Sequence, residues 1–457
     1  MVTARRFAAE GAAALAAGAI AGLVTGCTLI TDSFLTNEFS GDPFPVKVDA
    51  ASGALVVGVR QSNENKDRVA VLDLLSPFTV SVIENHPDDA RFDPKVSFVD
   101  LTLLGERASG QLDLPRARFN EAQVLSLHPC ENACSPDEIG CDPQLCRIGP
   151  PDAPRPFEAI VGADVLAGDA VRLRLGDEQL FVLADIGGTD RSRSFACDAV
   201  FDSPYRGGGT LVVSGTELPF GNRRITLQSC LGPNPDAMLS QDQRGADALL
   251  VFSTSIGISV LGETAYERYR KAHLAANPPI PVLLALPESS VYLPSGLVSG
   301  RLAKIDALAL VAATSNALAP CRQVYAHHLL TTTDCNPDAP PAERIDCPCS
   351  QNNSFCSVPA VLELTPEQGI DFLVVSDDNK TLQALRTELR PDQPEVDGLL
   401  GTNALRAAEL DIDYPHDRLL ARCAQERCSA RPQLAQREDR PQVQGCLDGQ
   451  PMPAERK

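Results

Sequence analysis

Positive charge is what this chain most lacks. Its 457 residues carry 40 Lys and Arg against 60 Asp and Glu, a formal charge of -20. A surface so acidic repels phosphate backbones, which argues against nucleic acid as a partner and gives the acid excess its simplest role, solubility. Histidine is scarce, with six in all, and no His-Glu-x-x-His pair is present to build a zinc peptidase. No phosphate loop ends in Gly-Lys-Ser/Thr, and no Gly-x-Gly-x-x-Gly fingerprint occurs. The nucleophile elbow Gly-x-Ser-x-Gly is missing too, because Gly257-Ile258-Ser259 runs on into Val260-Leu261-Gly262. Paired Cys-x2-Cys knuckles are absent, and His327 and His328 on a strand would point to opposite faces, so no metal or other cofactor is expected. Asp185, Asp190 and Asp377-Asp378-Asn379 lack the ordered spacing of calcium loops and read as solvated turns.

What the chain does contain begins with an export signal. Arg5 and Arg6 precede an Ala/Gly/Leu-rich stretch that ends in Val24-Thr25-Gly26-Cys27, the small-residue pattern of a bacterial lipoprotein cleavage site. The stretch is short, rich in alanine and interrupted by Glu10, which suits a cleaved signal better than a membrane span. Cys27 is therefore expected to be lipidated and to become the first mature residue. The expected location is the bacterial cell envelope, with the membrane as a partner through the lipid. Thr28 after the cysteine points to the outer membrane by the sorting rule of enteric bacteria. Setting Cys27 aside leaves an even number of the 15 cysteines, as befits disulfides in an oxidising compartment. Cys130, Cys134, Cys141 and Cys146 share one polar loop. Cys321, Cys335, Cys347, Cys349 and Cys356 share another, Cys423, Cys428 and Cys446 lie near the C-terminus, and Cys197 with Cys230 remain as a pair.

An apolar content of 44% supports real cores, and short β-rich runs bounded by turn residues dominate. Strands are expected over Gly53 to Arg60 and Arg68 to Leu72, the latter delivering Asp73. A hairpin turns around Gly105 to Gly110, and another joins Val171 to Leu175 with Leu180 to Leu183. The order then repeats. Ala248 to Phe252 leads to Ser253, Thr264 to Asn277 has helical composition, and a hairpin turns at Pro294-Ser295-Gly296. Ile160-Val161-Gly162 and Leu399-Leu400-Gly401 restate one element, and a closing hairpin spans Glu409 to Ala421.

This order, with Val71-Leu72-Asp73-x-x-Ser76-Pro77, Val251-Phe252-Ser253-Thr254-Ser255-Ile256-Gly257 and the two apolar-apolar-Gly elements, resembles the two lobes of a pepsin-like aspartic protease. The resemblance covers roughly residues 50 to 425 and implies a mainly β, bilobal fold with short helices and Cys-rich loop insertions. In that family each lobe carries an Asp-Thr-Gly loop, and the two carboxylates share a proton and activate water. Here Asp73 is kept, Leu74-Leu75 replace Thr-Gly, and Ser253 stands where the second Asp belongs. No Tyr occurs between Val99 and Phe119, the place of the family's flap tyrosine, while Tyr292 lies in the second-lobe hairpin. Expected divisions are a signal peptide at 1-26, a tether at 27-45, lobes at 46-209 and 210-425, and a tail at 426-457.

Asp73 is thus a vestigial catalytic candidate with Ser253 opposite. The favoured reading is an envelope-anchored lipoprotein that is catalytically inactive and binds an extended peptide between its lobes. Two alternatives stand: an active envelope aspartic endopeptidase using Asp73 with another acid such as Asp247, and a structural surface or assembly lipoprotein. Neither substrate-binding residues nor oligomeric state can be read from the chain.

Overall fold

A computed structural model of the protein describes residues 37-39, 43-49, 52-63, 66-82, 95-106, 112-127, 157-183, 199-202, 204-213, 216-221, 223-234, 243-293, 296-312, 319-332, 355-389, 395-431, 433-437, 440-443 and 452-453. Cys27, the loop cysteines from Cys130 to Cys146, Asp185, Asp190, Cys197, the side chain of Tyr292, Cys335, Cys347, Cys349, the side chain of Cys356 and Cys446 lie outside the described residues. No helix among the described residues is long and apolar enough to cross a membrane.

The first lobe is built from β1 (Leu55–Gln61), β2 (Asp67–Asp73), β3 (Thr79–Val82), β4 (Lys95–Glu106), β5 (Leu112–Leu127) and β6 (Ala159–Gly162). Each pairs with two of the others in the cycle β1-β2-β6-β3-β5-β4 and back to β1, so the sheet closes into a barrel. Closure removes the exposed edges that short strands would otherwise offer to other chains. All six residues Val69 to Leu74 except Val69 itself are buried, which is how a strand enclosed on both faces reads as an unbroken apolar run. The hairpin of β4 and β5 is much longer than the turn signals at Gly105 and Gly110 imply. Its length comes from the alternation that continues outward through Ala117, Phe119, Ala122 and Val124, all of which are buried.

A short helix, α1 (Ala163–Leu166), leads to β7 (Ala170–Arg174) and β8 (Gln179–Leu183), and β9 (Ala199–Asp202) follows. The second lobe repeats the order. It has β10 (Arg224–Leu231), β11 (Ala246–Phe252), β12 (Ser259–Gly262), α2 (Glu263–Ala272), the hairpin β13 (Glu288–Leu293) and β14 (Gly296–Ile305), and β15 (Leu308–Val311). Then come α3 (Pro320–Thr332), β16 (Val361–Leu364), β17 (Ile370–Val375), α4 (Lys380–Glu388), β18 (Gly398–Leu400) and α5 (Thr402–Leu405). The closing hairpin is β19 (Ala408–Asp413) with β20 (Arg418–Cys423). Strand Cys428–Arg431 adds to β16 at the far edge of this lobe's sheet. The fold is mainly β, with two lobes and few, short helices.

A third sheet, in the order β9-β20-β19-β7-β8 and then Phe44–Pro45, joins the lobes. Its centre is the antiparallel pairing of β7 from the first lobe with β19 from the second, where Arg172 stands directly opposite Asp411. Both side chains are buried, and the guanidinium grips the carboxylate with two bonds of 2.6 and 2.9 Å. Burial pushes the Asp411 carboxyl up, against the pull of Arg172. Such a pair is worth little against an apolar replacement, but losing one partner strands a buried charge at a cost of about 3–5 kcal/mol.

Three sequence expectations are corrected. Cys230 bonds to Cys321, not Cys197. The two are brought together because α3 packs across β10 and β15, a long-range contact that spacing along the chain does not reveal. His327 and His328 lie in α3 rather than on a strand, with His327 buried. The helix expected to reach Asn277 stops at Ala272, where His273 leaves the helical conformation and its ring nitrogens bond the carbonyls of Tyr269 and Gly232. The Cys423 to Cys428 bridge also forms, closing a loop of neighbours at the end of β20.

Candidate functional site

The two lobes carry one local structure twice, residue for residue. In the first, Ile160 of β6 is paired with Val71 of β2 running parallel and with Val80 of β3 running antiparallel. In the second, Leu399 of β18 is paired with Val251 of β11 in parallel and with Val260 of β12 antiparallel. The loops behind these strands match as well. The Ala163 N–H donates to the Ser76 carbonyl at 2.9 Å, and the Thr402 N–H donates to the Ile256 carbonyl at 3.0 Å.

This crossing explains the two apolar-apolar-Gly elements. A Cβ on Gly162 would lie 2.4 Å from the backbone of Phe78, and one on Gly401 would lie 2.8 Å from the backbone of Ile258. Glycine is needed at both points because two loops cross in contact there. Each glycine N–H then donates to a hydroxyl at 3.0 Å, Gly162 to Thr79 and Gly401 to Ser259. Those hydroxyls donate onward to Asp164 at 2.8 Å and to Asn403 at 2.9 Å.

Under this repeat Asp73, opposite Gly162, is the counterpart of Ser253, whose N–H bonds the Leu400 carbonyl at 2.9 Å. Both are buried at the junction of the lobes. The Leu75 N–H donates to the Asp73 carboxylate at 2.9 Å, and the Ser255 hydroxyl bonds it from the other lobe. Ser255 in turn shares a 3.0 Å bond with the Ser253 hydroxyl. The site is therefore a chain of one carboxylate and two hydroxyls. Loss of water around Asp73 raises its pKa, opposed by the Leu75 N–H, the Ser255 hydroxyl, the Arg224 charge and the Ser76 N–H.

The Thr254 hydroxyl fastens the lobes beside this chain. It donates to the Leu72 carbonyl at 2.6 Å and accepts from the Leu74 N–H at 3.0 Å. Leu74 occupies the matching place in the first lobe and has no hydroxyl to return, so the clasp is one-sided. Leu74 is instead buried in the main core, whereas Leu75 packs into the second lobe among Val251, Ile256, Val291 and Leu293. Arg224, at the head of β10, donates to the Leu75 carbonyl. It is held there by a two-pronged bond to Glu388 at 2.6 and 2.7 Å.

These positions define what the arrangement can do. A hydroxyl does not ionise near neutral pH, so Ser253 cannot hold the second charge of an acid pair, and Asp73 is itself buried. Asp247, the other acid considered, sits six positions before Ser253 along β11, about 20 Å at strand rise. Its carboxylate accepts from the Cys321 N–H at 2.7 Å beside the disulfide. It cannot share a proton with Asp73. In the turn at 377–379, Asp377 accepts from both the backbone N–H and the hydroxyl of Thr264, and Asn379 caps α4. Among the described residues no cluster of metal-binding side chains occurs.

Sequence reasoning noted Thr254, Ser255 and Leu75 only as parts of or departures from the two motifs, without the bonds they make, and it missed the Arg224–Glu388 pair. Laying the two repeats over one another would have found the first three, since they neighbour Ser253 and Asp73. Nothing in the sequence marks Arg224 and Glu388, which are far apart in the chain and meet only through tertiary packing.

The fold is mainly β and bilobal, with one crossing of loops in each lobe, as the sequence resemblance implied. No family model matches the chain, and no curated protein matches it in sequence. Among solved structures it is similar to the basic 7S globulin from soybean, at 11% identity and a TM-score of 0.38, over 83% of this chain and 94% of that one. It is also similar to an aspartic proteinase from Irpex lacteus, at 11% identity and a TM-score of 0.33, over 84% of this chain and 97% of that one.

Proposed function

We propose that this protein is a non-catalytic, peptidase-like lipoprotein of the bacterial envelope, anchored through Cys27, that binds an extended peptide between its lobes. The observation that carries the reading is the chain Asp73, Ser255, Ser253. The pepsin-like mechanism needs one ionised and one protonated carboxylate around a water, and here one buried carboxylate is met by a chain of two hydroxyls. The chemistry of that place favours retention of the scaffold without its reaction. A bilobal β scaffold still offers hairpins and strand edges to which an extended chain can add by main-chain bonding, a mode that needs no acid pair. The envelope assignment rests on the sequence from Arg5 to Cys27.

The test is to incubate the purified protein with a pool of unstructured decapeptides, recover what is retained, and weigh it. The reading expects a restricted set of peptides, recovered at full length. Recovery of fragments with new termini would turn the reading toward peptidase activity, and an unenriched pool would remove the peptide-binding half of it.

A further inference from the structure

From Ala272 to Pro287, between the end of α2 and the start of β13, the chain carries no Asp, Glu, Lys or Arg, although such residues make up 22% of the sequence. Within that stretch Leu274, Val282 and Leu284 are 72%, 52% and 82% exposed, three of the seven large apolar side chains that the described residues leave in solvent. Pro278, Pro279 and Pro281 are exposed between them. Single exposed apolar residues need no explanation, but an uncharged group of them marks a contact surface. The loop is also firmly held. Ile280 and Leu283 pack against the main core, and Leu286 is buried in it. The Tyr266 hydroxyl of α2 donates to the Pro281 carbonyl at 2.8 Å, and Arg301 of β14 donates to the Leu286 carbonyl at 3.0 Å. Leu283–Ala285 makes one 3-10 turn, which sets Leu283 toward the core and Leu284 toward solvent.

Chemistry and size narrow what covers this surface. Protein interfaces gather aromatic side chains and arginine at their centres, and the stretch from Leu274 to Pro287 contains neither. Three such side chains expose on the order of a few hundred Å² at most, short of the roughly 800 Å² that each partner buries in a stable interface. A bilayer asks only for aliphatic surface free of charge, and binding to it grows with the apolar area inserted. The expected lipid on Cys27 brings a bilayer close. Ten residues separate Cys27 from Asn37, the first described residue, and a chain of that length reaches at most about 36 Å. The folded body is thereby kept beside the membrane, where a contact too weak to hold a free protein becomes an intramolecular one.

We infer that the loop from Leu274 to Leu284 seats its exposed aliphatic side chains in the bilayer that holds the Cys27 lipid, and so fixes how the second lobe faces the membrane. The inference rests on the Cys27 anchor of the proposed function and goes beyond it. The contact is apolar in kind. With a formal charge of -20 the chain gains nothing from anionic headgroups, so raising the salt concentration should not release the loop.

The chain contains no tryptophan, so a single introduced one reports on its own position. Leu284→Trp and, at an exposed place in β4 of the first lobe, Phe98→Trp are made in the acylated full chain. Each is reconstituted into phosphatidylcholine–phosphatidylglycerol vesicles with and without brominated acyl chains. Leu284→Trp should emit to the blue of the same reporter in the soluble Cys27→Ser chain, and brominated lipid should quench it at least about threefold more than Phe98→Trp. Adding Leu274→Ser and Val282→Ser should cut that quenching about threefold or more. Equal quenching at the two positions, no blue shift, or quenching that the serines leave untouched overturns the inference. So does a Cys27→Ser chain that sediments as a dimer and is made monomeric by the serines, which assigns the loop to a second copy. A chain recovered without acyl groups on Cys27 removes the anchor and this inference together, whereas an acylated chain with an unshifted Leu284→Trp removes this inference alone. Loss of decapeptide retention in the serine variant, with the reporter unshifted, overturns it too and assigns the loop to the peptide.

Discussion

The Leu74 N–H donates to the Thr254 hydroxyl across the lobe boundary, and Leu74 has no hydroxyl to offer in return. The bond from the Leu74 N–H is 3.0 Å long and the onward bond to the Leu72 carbonyl is 2.6 Å. A repeat that is otherwise matched position by position is thus asymmetric at the point where the lobes touch. Thr254→Val, which keeps the shape and removes the hydroxyl, leaves the buried Leu74 N–H without a partner. Denaturant unfolding should show a loss of about 1–3 kcal/mol. A change within a few tenths would mean that the clasp does not hold the junction.

Asp164 and Asn403 occupy equivalent places behind the two glycines, one ionisable and one not. Burial pushes the Asp164 carboxyl up to about 6, above the roughly 3.9 of an unfolded Asp. The folded chain therefore holds a proton there between about pH 4 and 6 that the unfolded chain has released. Stability contributed by the protonated group is full below that window and is lost as pH rises through it. Asp164→Asn removes the charge, so its melting temperature relative to the parent should be higher at pH 7.5 than at pH 4, by the equivalent of about 1–2 kcal/mol for a half-buried group. The same difference at both pH values would contradict this environment for Asp164.

The Cys230–Cys321 bridge spans 91 residues, and its sulfurs are buried between α3 and β10. Closing so long a loop removes much of the freedom of the unfolded chain, so replacing both cysteines with alanine should cost about 2–5 kcal/mol. The Cys423–Cys428 bridge closes a separation of only 5, and its loss should cost less, about 2 kcal/mol. Peptide mapping under non-reducing conditions should recover both pairs. A fragment joining Cys197 to Cys230 would contradict the packing of α3.

Cys27 is the point on which the envelope assignment turns. Cys27→Ser should move the protein from the membrane to the soluble fraction, and mass spectrometry of the parent should find acyl chains on the first mature residue. An unmodified mature start elsewhere would remove the anchoring claim.

Much of the fold is legible in the sequence because it is written as local pattern. The apolar runs of β2 and β11 and the glycines after Val161 and Leu400 repeat with one order, and the crossing loops make those glycines obligatory. The turn signals placed the hairpins, although β4 and β5 extend further because burial continues along both strands. What the sequence hides is contact between distant segments. The pairing of β7 with β19, the partner of Cys230 and the meeting of Arg224 with Glu388 are decided by tertiary packing, for which no periodicity exists to be read. The helical placement of His327 and His328 was missed because α3 runs straight into the Cys-rich, polar stretch that begins at Cys335 and reads as a loop.

The central claim is that the buried Asp73 does no peptide hydrolysis. The most direct measurement compares the purified protein with Asp73→Asn for cleavage of a denatured protein from pH 3 to pH 7.5, with and without pepstatin. The account predicts no cleavage that depends on Asp73 or responds to pepstatin at any pH, because Ser253 and Ser255 supply hydroxyls where the reaction requires a second carboxylate. Pepstatin-sensitive cleavage that disappears in Asp73→Asn would contradict it.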